Sequence, residues 1–152
     1  MEMPRPAAEH QQLAKFAGQW TGTEKIHPSP CDPEGGPATA TVSNRVALGG
    51  FVVIQDYEQK RGGVVSFTGH CVFGFEAETK QHFVMWFDSM GCSPQKFVGS
   101  FKGDTFTATN QSPQGHARCA WTLSSSRYTF KMEMSEDGKQ WFTFMEGDYR
   151  KS

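Results

Sequence analysis

Residues 86–91, Trp-Phe-Asp-Ser-Met-Gly, place a single carboxylate among apolar side chains. Burial of an acid in such surroundings favours its neutral form and prepares it to hydrogen-bond a ligand. An acid at the end of a strand can instead accept backbone N–H groups from the turn that follows. The sequence leaves both roles open for Asp88.

Histidine is the second residue type with chemical potential, because an imidazole can bind a metal ion or contact a ligand. His70 lies in a run that alternates like a strand, where a lone histidine is more often an ordinary surface or core residue. Its neighbour Cys71 points to the opposite face, so the two cannot bind one metal ion together. The other strand histidines have no partner at i+2 or i+4: His27, His82 and His116. We therefore predict neither a metal site nor a cofactor.

Tyrosine and tryptophan on alternating strands suggest the lining of a small-molecule pocket. Tyr57 shares a strand face with Gln55 and Val53, and residues 141–145 read Trp-Phe-Thr-Phe-Met. Such side chains combine a large apolar body with a hydrogen-bonding tip. The predicted ligand-binding residues are Tyr57, His70, Trp86, Asp88 and Trp141.

Signatures of common enzymes are absent from the sequence. It contains no Gly-x-Ser-x-Gly elbow, phosphate-binding loop, Gly-x-Gly-x-x-Gly or His-Glu-x-x-His motif. No catalytic residue is predicted, and a binding module is favoured over an enzyme. The four cysteines have no Cys-x-x-Cys spacing, so we expect free thiols.

The composition is typical of an all-β protein. The chain has 13 Phe and 4 Trp but only three Leu and two Ile among its 152 residues. Aromatic and β-branched residues suit half-buried strands, and the 16 Gly and 8 Pro supply turns. Alternating apolar patterns predict ten strands at about 19–27, 38–48, 51–60, 66–76, 81–89, 95–102, 104–111, 116–124, 127–136 and 139–150.

Short links between these strands predict an up-and-down meander. Ten meandering strands leave two long edges unless the sheet closes, so we predict an antiparallel β-barrel. Residues 9–17 form one short amphipathic helix. We expect residues 1–8 to be disordered and 9–152 to form a single domain.

The charge pattern excludes some partners. The net charge is −1 and no basic stripe is present, so nucleic-acid binding is not predicted. No apolar run is long enough to cross a membrane, and the N-terminus lacks the apolar segment of a secretory signal. We expect a cytoplasmic protein. Strands apolar on both faces, such as 83–87, also make a homodimer plausible.

Gly18-Gln19-Trp20, after a short helix, resembles the opening of lipocalins and their calycin relatives. The resemblance implies that Trp20 packs across the closed base of the barrel against a basic residue of the last strand, here Arg150. From the residues alone, Arg150 faces inward either with Asp148 or, after a bulge at Gly147, with Met145.

Nearly the whole chain resembles a bacterial calycin-like family known only as a domain of unknown function. The shared features are His10 and Leu13 before Gly18-x-Trp20, then Gly49-Gly50, residues 86–91 and residues 145–150. This resemblance implies a fold and no established activity. Haem-binding nitrobindin-type barrels open with a similar Gly-x-Trp and take an axial histidine from a late strand, where the last histidine here is His116.

The leading functional hypothesis is therefore a barrel that binds a small, mostly apolar molecule in its interior. The first alternative is a homodimeric interaction module whose barrel is filled by its own side chains. The second alternative is a haem-binding barrel.

Overall fold

A computed structural model describes residues 1–152 and shows a closed antiparallel β-barrel of ten strands. Each strand pairs with the next along the chain, and the first pairs with the last. This confirms the predicted barrel and its short N-terminal helix. The strands are β1 (Gly18–Ile26), β2 (Gly36–Ala47), β3 (Val52–Arg61), β4 (Val64–Glu76), β5 (Gln81–Asp88), β6 (Gln95–Lys102), β7 (Thr105–Ser112), β8 (Gly115–Leu123), β9 (Arg127–Ser135) and β10 (Phe142–Lys151).

Alternation along the strands separates a barrel interior from an outer face. In β8, for example, Ala117, Cys119, Trp121 and Leu123 are buried and the residues between them are not. The β3–β4 hairpin turns at Gly62-Gly63, where φ is 57° and 78°. Two positive φ values match the twist of the paired strands, and glycine adopts them without a steric penalty.

The N-terminal helix is shorter than predicted and changes type within the 9–17 segment. It consists of α1 (Ala8–Gln12) followed by a 3₁₀ turn (Leu13–Phe16). The tighter turn directs Leu13 and Phe16 into the barrel, where their side chains are 1% and 0% exposed. None of the helical segments, of which the longest has five residues, is long and apolar enough to cross a membrane.

Phe16 closes one end of the barrel, which we call the base. Its ring stacks on Phe73 with 4.4 Å between ring centroids, and it makes edge contacts with Phe106 and Trp121. Its carbonyl oxygen accepts hydrogen bonds from the Trp20 indole at 3.0 Å and from the Asn44 amide at 2.8 Å. The base is thus a packed aromatic core tied to the backbone of the 3₁₀ turn.

The position of Arg150 corrects the prediction for the barrel base. Trp20 is buried at the base as expected, but Trp20 pairs across the seam with Lys151 and Arg150 pairs with Thr21. Cross-strand partners point to the same face, so Lys151 lies over the indole, 5.3 Å from its centroid. Arg150 points outward beside Asp148, and the irregularity in β10 falls between Thr143 and Met145 instead of at Gly147.

The packing of Phe16 generates a stability prediction. We expect Phe16→Ala to lower the free energy of unfolding by about 3–5 kcal/mol, because it leaves a cavity in a packed aromatic core. The control is Phe87→Ala, which removes a 43% exposed ring and should cost at most about 1 kcal/mol. Chemical denaturation of both variants measures the difference, and equal losses would contradict this account of the base.

His82 generates a prediction about acid stability. It is buried among Phe75, Phe101 and Phe106, and its Nε2 lies 2.8 Å from the carbonyl oxygen of Glu9. Burial lowers the pKa of this imidazole. The unfolded chain therefore takes up a proton at a higher pH than the folded protein does, and stability is lost as the pH falls below the unfolded value.

We expect the free energy of unfolding to fall less between pH 7.5 and pH 5.0 in His82→Gln than in the wild-type protein. Each protein is compared with itself at the two pH values, so the intrinsic cost of the substitution cancels. The wild-type protein measured over the same pH interval gives the reference slope. An unchanged slope in His82→Gln would show that this histidine does not contribute to acid sensitivity.

Candidate functional site

The end of the barrel interior opposite Phe16 is lined by partly exposed side chains. Inward-facing Phe67, Trp86, Met132 and Met145 all keep part of their surface accessible, whereas Phe73 at the base keeps none. We call this half of the interior the cup.

A group of four polar side chains lies inside the barrel beside the cup, and we call it the Glu24 cluster. Tyr57 and Tyr149 both donate their hydroxyl hydrogens to Oε2 of Glu24, the first at 2.6 Å. Gln59 donates to Oε1 of Glu24 at 3.0 Å and to the Tyr57 hydroxyl at 3.1 Å. Glu24, Tyr57, Gln59 and Tyr149 are all buried.

The electrostatics of the cluster keep its hydroxyl groups protonated. Burial, reinforced by the nearby Glu24 carboxylate, raises the pKa of Tyr57 and of Tyr149. Both tyrosines therefore remain donors over the whole physiological pH range. Three donors converging on one carboxylate match the acceptor-only character of an ionised acid.

Glycines on the inner wall give the aromatic rings of the cup their positions. A Cβ at Gly22 would lie 2.3 Å from Tyr149, and one at Gly147 would lie 2.3 Å from the Tyr149 hydroxyl. A Cβ at Gly69 would lie 2.4 Å from the ring of Trp86. These glycines leave room for the rings of Tyr149 and Trp86 to lie against the inner wall.

Three aromatic rings meet on one side of the cup. Phe67 and Trp86 are stacked with 6.3 Å between centroids, and Tyr57 meets each of them edge-on at 6.2 Å. Asp88 lies at the mouth and accepts hydrogen bonds from the Trp86 indole at 2.7 Å and from the backbone N–H of Met90 at 3.0 Å. Asp88 thus both stabilises its turn and orients the indole.

An unpartnered amide also faces the interior. Gln55 lies two residues before Tyr57 on the same face of β3 and is only 7% exposed. Its side chain forms no hydrogen bond with another protein group, and both of its polar atoms remain accessible, in contrast to the fully enclosed Asn44 Oδ1. A buried amide normally finds a partner, so Gln55 offers a donor and an acceptor to whatever occupies this space.

The structure brings together three of the five predicted ligand-binding residues, Tyr57, Trp86 and Asp88. It places the other two on the outer face. His70 pairs with Asp56 and Phe87 across the sheet, and its Nδ1 lies 2.7 Å from Asp56 Oδ1. Trp141 precedes β10 and packs outside the barrel on the guanidinium of Arg118, 4.0 Å from the ring centroid.

The resemblance to nitrobindin-type barrels implies an axial imidazole from a late strand, and the histidines can be located in the structure. His116 lies on the outer face against Trp141, and His70 lies beside Asp56. His27 pairs with Glu146 outside the barrel, and His82 is enclosed at the base. No three His, Cys, Asp or Glu side chains come together in an arrangement that could hold a metal ion.

The ligand-binding residues predicted from the sequence do not include Glu24, Gln59 or Tyr149. The alternation of β1 provides a signal for the first, because Glu24 shares a face with the inward Trp20 and an acid on that face needs partners. Tyr149 gives no comparable signal, since its contact with Glu24 joins residues 125 positions apart.

Comparison with known proteins gives a fold and a family. The crystal structure of Rv2717c from M. tuberculosis is similar to this chain with a TM-score of 0.75 over 96% of this chain and 98% of that chain, at 11% sequence identity. At that identity the similarity shows a shared fold only. No curated protein matches the sequence. The family described as "Protein of unknown function (DUF1579)" matches residues 5–151, and the chain belongs to that family.

Proposed function

We propose that this protein binds a small, mostly apolar molecule in the cup. The observation that supports the proposal most directly is the partial exposure of the inward Phe67 and Trp86 beside the buried Glu24 cluster. Ligand sites are typically apolar concavities with a few convergent polar groups. The resemblance of Gly18-Gln19-Trp20 to the lipocalin opening agrees with this function, because barrels of that kind hold one small ligand.

The aromatic packing of the base also supports a binding function. The base has the aromatic packing of a stable core, so the cup need not be filled for the fold to hold. Met132 and Met145 border the cup, and their flexible thioethers adapt to ligands of different shape. The Met145 sulfur also lies 3.8 Å from the Gln59 amide, at the boundary between the apolar wall and the Glu24 cluster.

A second candidate function is homodimerisation, and the surface at the mouth of the cup favours it. Val64 and Val65 at the β3–β4 hairpin are 68% and 49% exposed, and Met90 is 73% exposed. Exposed apolar groups at one end of a barrel are suited to contact a second copy. Native mass spectrometry separates the two functions, because it reports both a dimer mass and a bound small molecule.

We also propose a cytoplasmic location. The four cysteines form no disulfide, and Cys31 and Cys92 are exposed. Exposed free thiols are typical of proteins in a reducing compartment. Fractionation of the native host cells tests this assignment.

Binding in the cup is tested with N-phenyl-1-naphthylamine, a neutral apolar probe whose emission rises in apolar surroundings. We expect saturable binding to the full chain and an affinity about tenfold weaker in Trp86→Ala, equivalent to about 1.4 kcal/mol. The reason is that this substitution removes the largest ring of the cup wall. Native mass spectrometry of the freshly purified protein, compared with its denatured mass, reports any co-purified molecule.

The matched control is Trp141→Ala, which removes an indole of the same size from the outer face. It should leave probe affinity unchanged. Saturable binding that responds equally to both substitutions would place the probe outside the cup, and absence of binding together with a bare protein mass would overturn the proposed function.

A further inference from the structure

The charges that face the cup are unbalanced. Glu24 and Asp88 both point inward, and neither makes an ion pair: their hydrogen-bond partners are hydroxyl, amide, indole and backbone N–H groups. Arg61 ends β3 at the mouth, and its guanidinium is paired with Asp32 of the β1–β2 loop. Lys151 is inward at the other end, over Trp20. The cup therefore has excess negative charge.

The Glu24 carboxylate is buried without a cation. Removing a carboxylate from water is costly, and neutral hydrogen bonds offset only part of that cost. Oε1 accepts one hydrogen bond, from Gln59, so a further lone pair is available to a donor. A positively charged donor would gain more from this position than a neutral one, because the hydrogen bond would be charge-assisted at both ends.

The aromatic rings beside the Glu24 carboxylate also favour a positively charged group. The faces of Tyr57, Phe67 and Trp86 present negative quadrupole potential to a cation placed over them, and the attraction increases when the site is desolvated. Gln55 adds an unpartnered amide oxygen that can accept an N–H group. A carboxylate ligand would find no free basic group here and would be repelled by Glu24 and Asp88.

We propose that the ligand of the cup is a small organic amine, in which an apolar or aromatic body bears a protonated amino group. The ammonium hydrogen-bonds Glu24 and the body lies against the rings of Phe67 and Trp86. This inference rests on the proposed binding function and adds the chemical class of the ligand. It distinguishes amines from fatty acids and other anions, which are equally apolar.

Three compounds of matched size test the charge preference: 2-phenylethylamine, 2-phenylethanol and 3-phenylpropionate. Their binding to the full chain is measured by isothermal titration calorimetry at neutral pH and low salt. We expect the amine to bind at least about tenfold more tightly than the alcohol, and the carboxylate more weakly than either. In Glu24→Gln the amine should lose its advantage, whereas the affinity for the alcohol should change little.

Glu146→Gln is the matched control, because Glu146 lies on the outer face beside His27 and should leave all three affinities unchanged. Asp88→Asn provides a second test of the charge at the mouth if Glu24→Gln fails to fold, and it should reduce the preference for the amine. The comparison of the three compounds on the wild-type protein decides the ligand class without any variant.

The outcomes separate this inference from the proposed function. Equal binding of amine and alcohol, or tighter binding of the carboxylate, would overturn the amine class while the cup remains a binding site. Binding of the neutral probe N-phenyl-1-naphthylamine without binding of 2-phenylethylamine would likewise overturn the amine class and leave the cup as a binding site. Failure of the neutral probe and of all three compounds would overturn both.

Discussion

Pairing of β1 with β10 is the interaction on which the rest of the structure depends. It converts a ten-stranded meander with two free edges into a barrel, and every other strand pair joins neighbours in sequence. The same register places Tyr149 opposite Gly22 and Gly147 opposite Glu24. Both glycines then provide the space in which the Tyr149 ring crosses the seam and reaches the carboxylate.

The base and the cup differ in the side chains that they contain. The base concentrates aromatic packing around Phe16, whose carbonyl oxygen also receives the indole of Trp20 and the amide of Asn44. Burial at this end supplies much of the hydrophobic stabilisation. The other half contains a buried carboxylate, a feature that costs stability and that proteins tolerate at functional sites.

The fold follows from local patterns, which is why the sequence predicts it well. Alternation of apolar residues and short turns such as Gly62-Gly63 act over a few residues, and they determine ten strands whose order is simply the order of the chain. Alternation also puts Trp86 and Asp88 on a common face. Alternation does not say which of the two faces points inward. For this reason it does not show that His70, on the neighbouring strand β4, lies outside the barrel.

The register between strands that are distant in the chain cannot be predicted from the sequence. The irregularity between Thr143 and Met145 and the pairing of Trp20 with Lys151 depend on how distant strands meet, so Arg150 was placed on the wrong side of the wall. Glu24 and Tyr149 form one contact only after the barrel has closed. No pattern confined to β1 or β10 reports that contact.

Under the proposed function, the location of the Glu24 cluster on the seam would couple ligand binding to closure of the barrel. Tyr149 reaches Glu24 across the β1–β10 pair, and Tyr57 reaches it from β3, on the far side of β2. The cluster is hydrogen-bonded within itself, whereas Gln55, on the same face of β3 as Tyr57, has no hydrogen-bond partner. A molecule that contacts Glu24 also holds the strands that close the sheet, because only the folded barrel assembles its binding groups. In the proposed function, occupancy of the cup and stability of the seam would thus both depend on the Glu24 carboxylate.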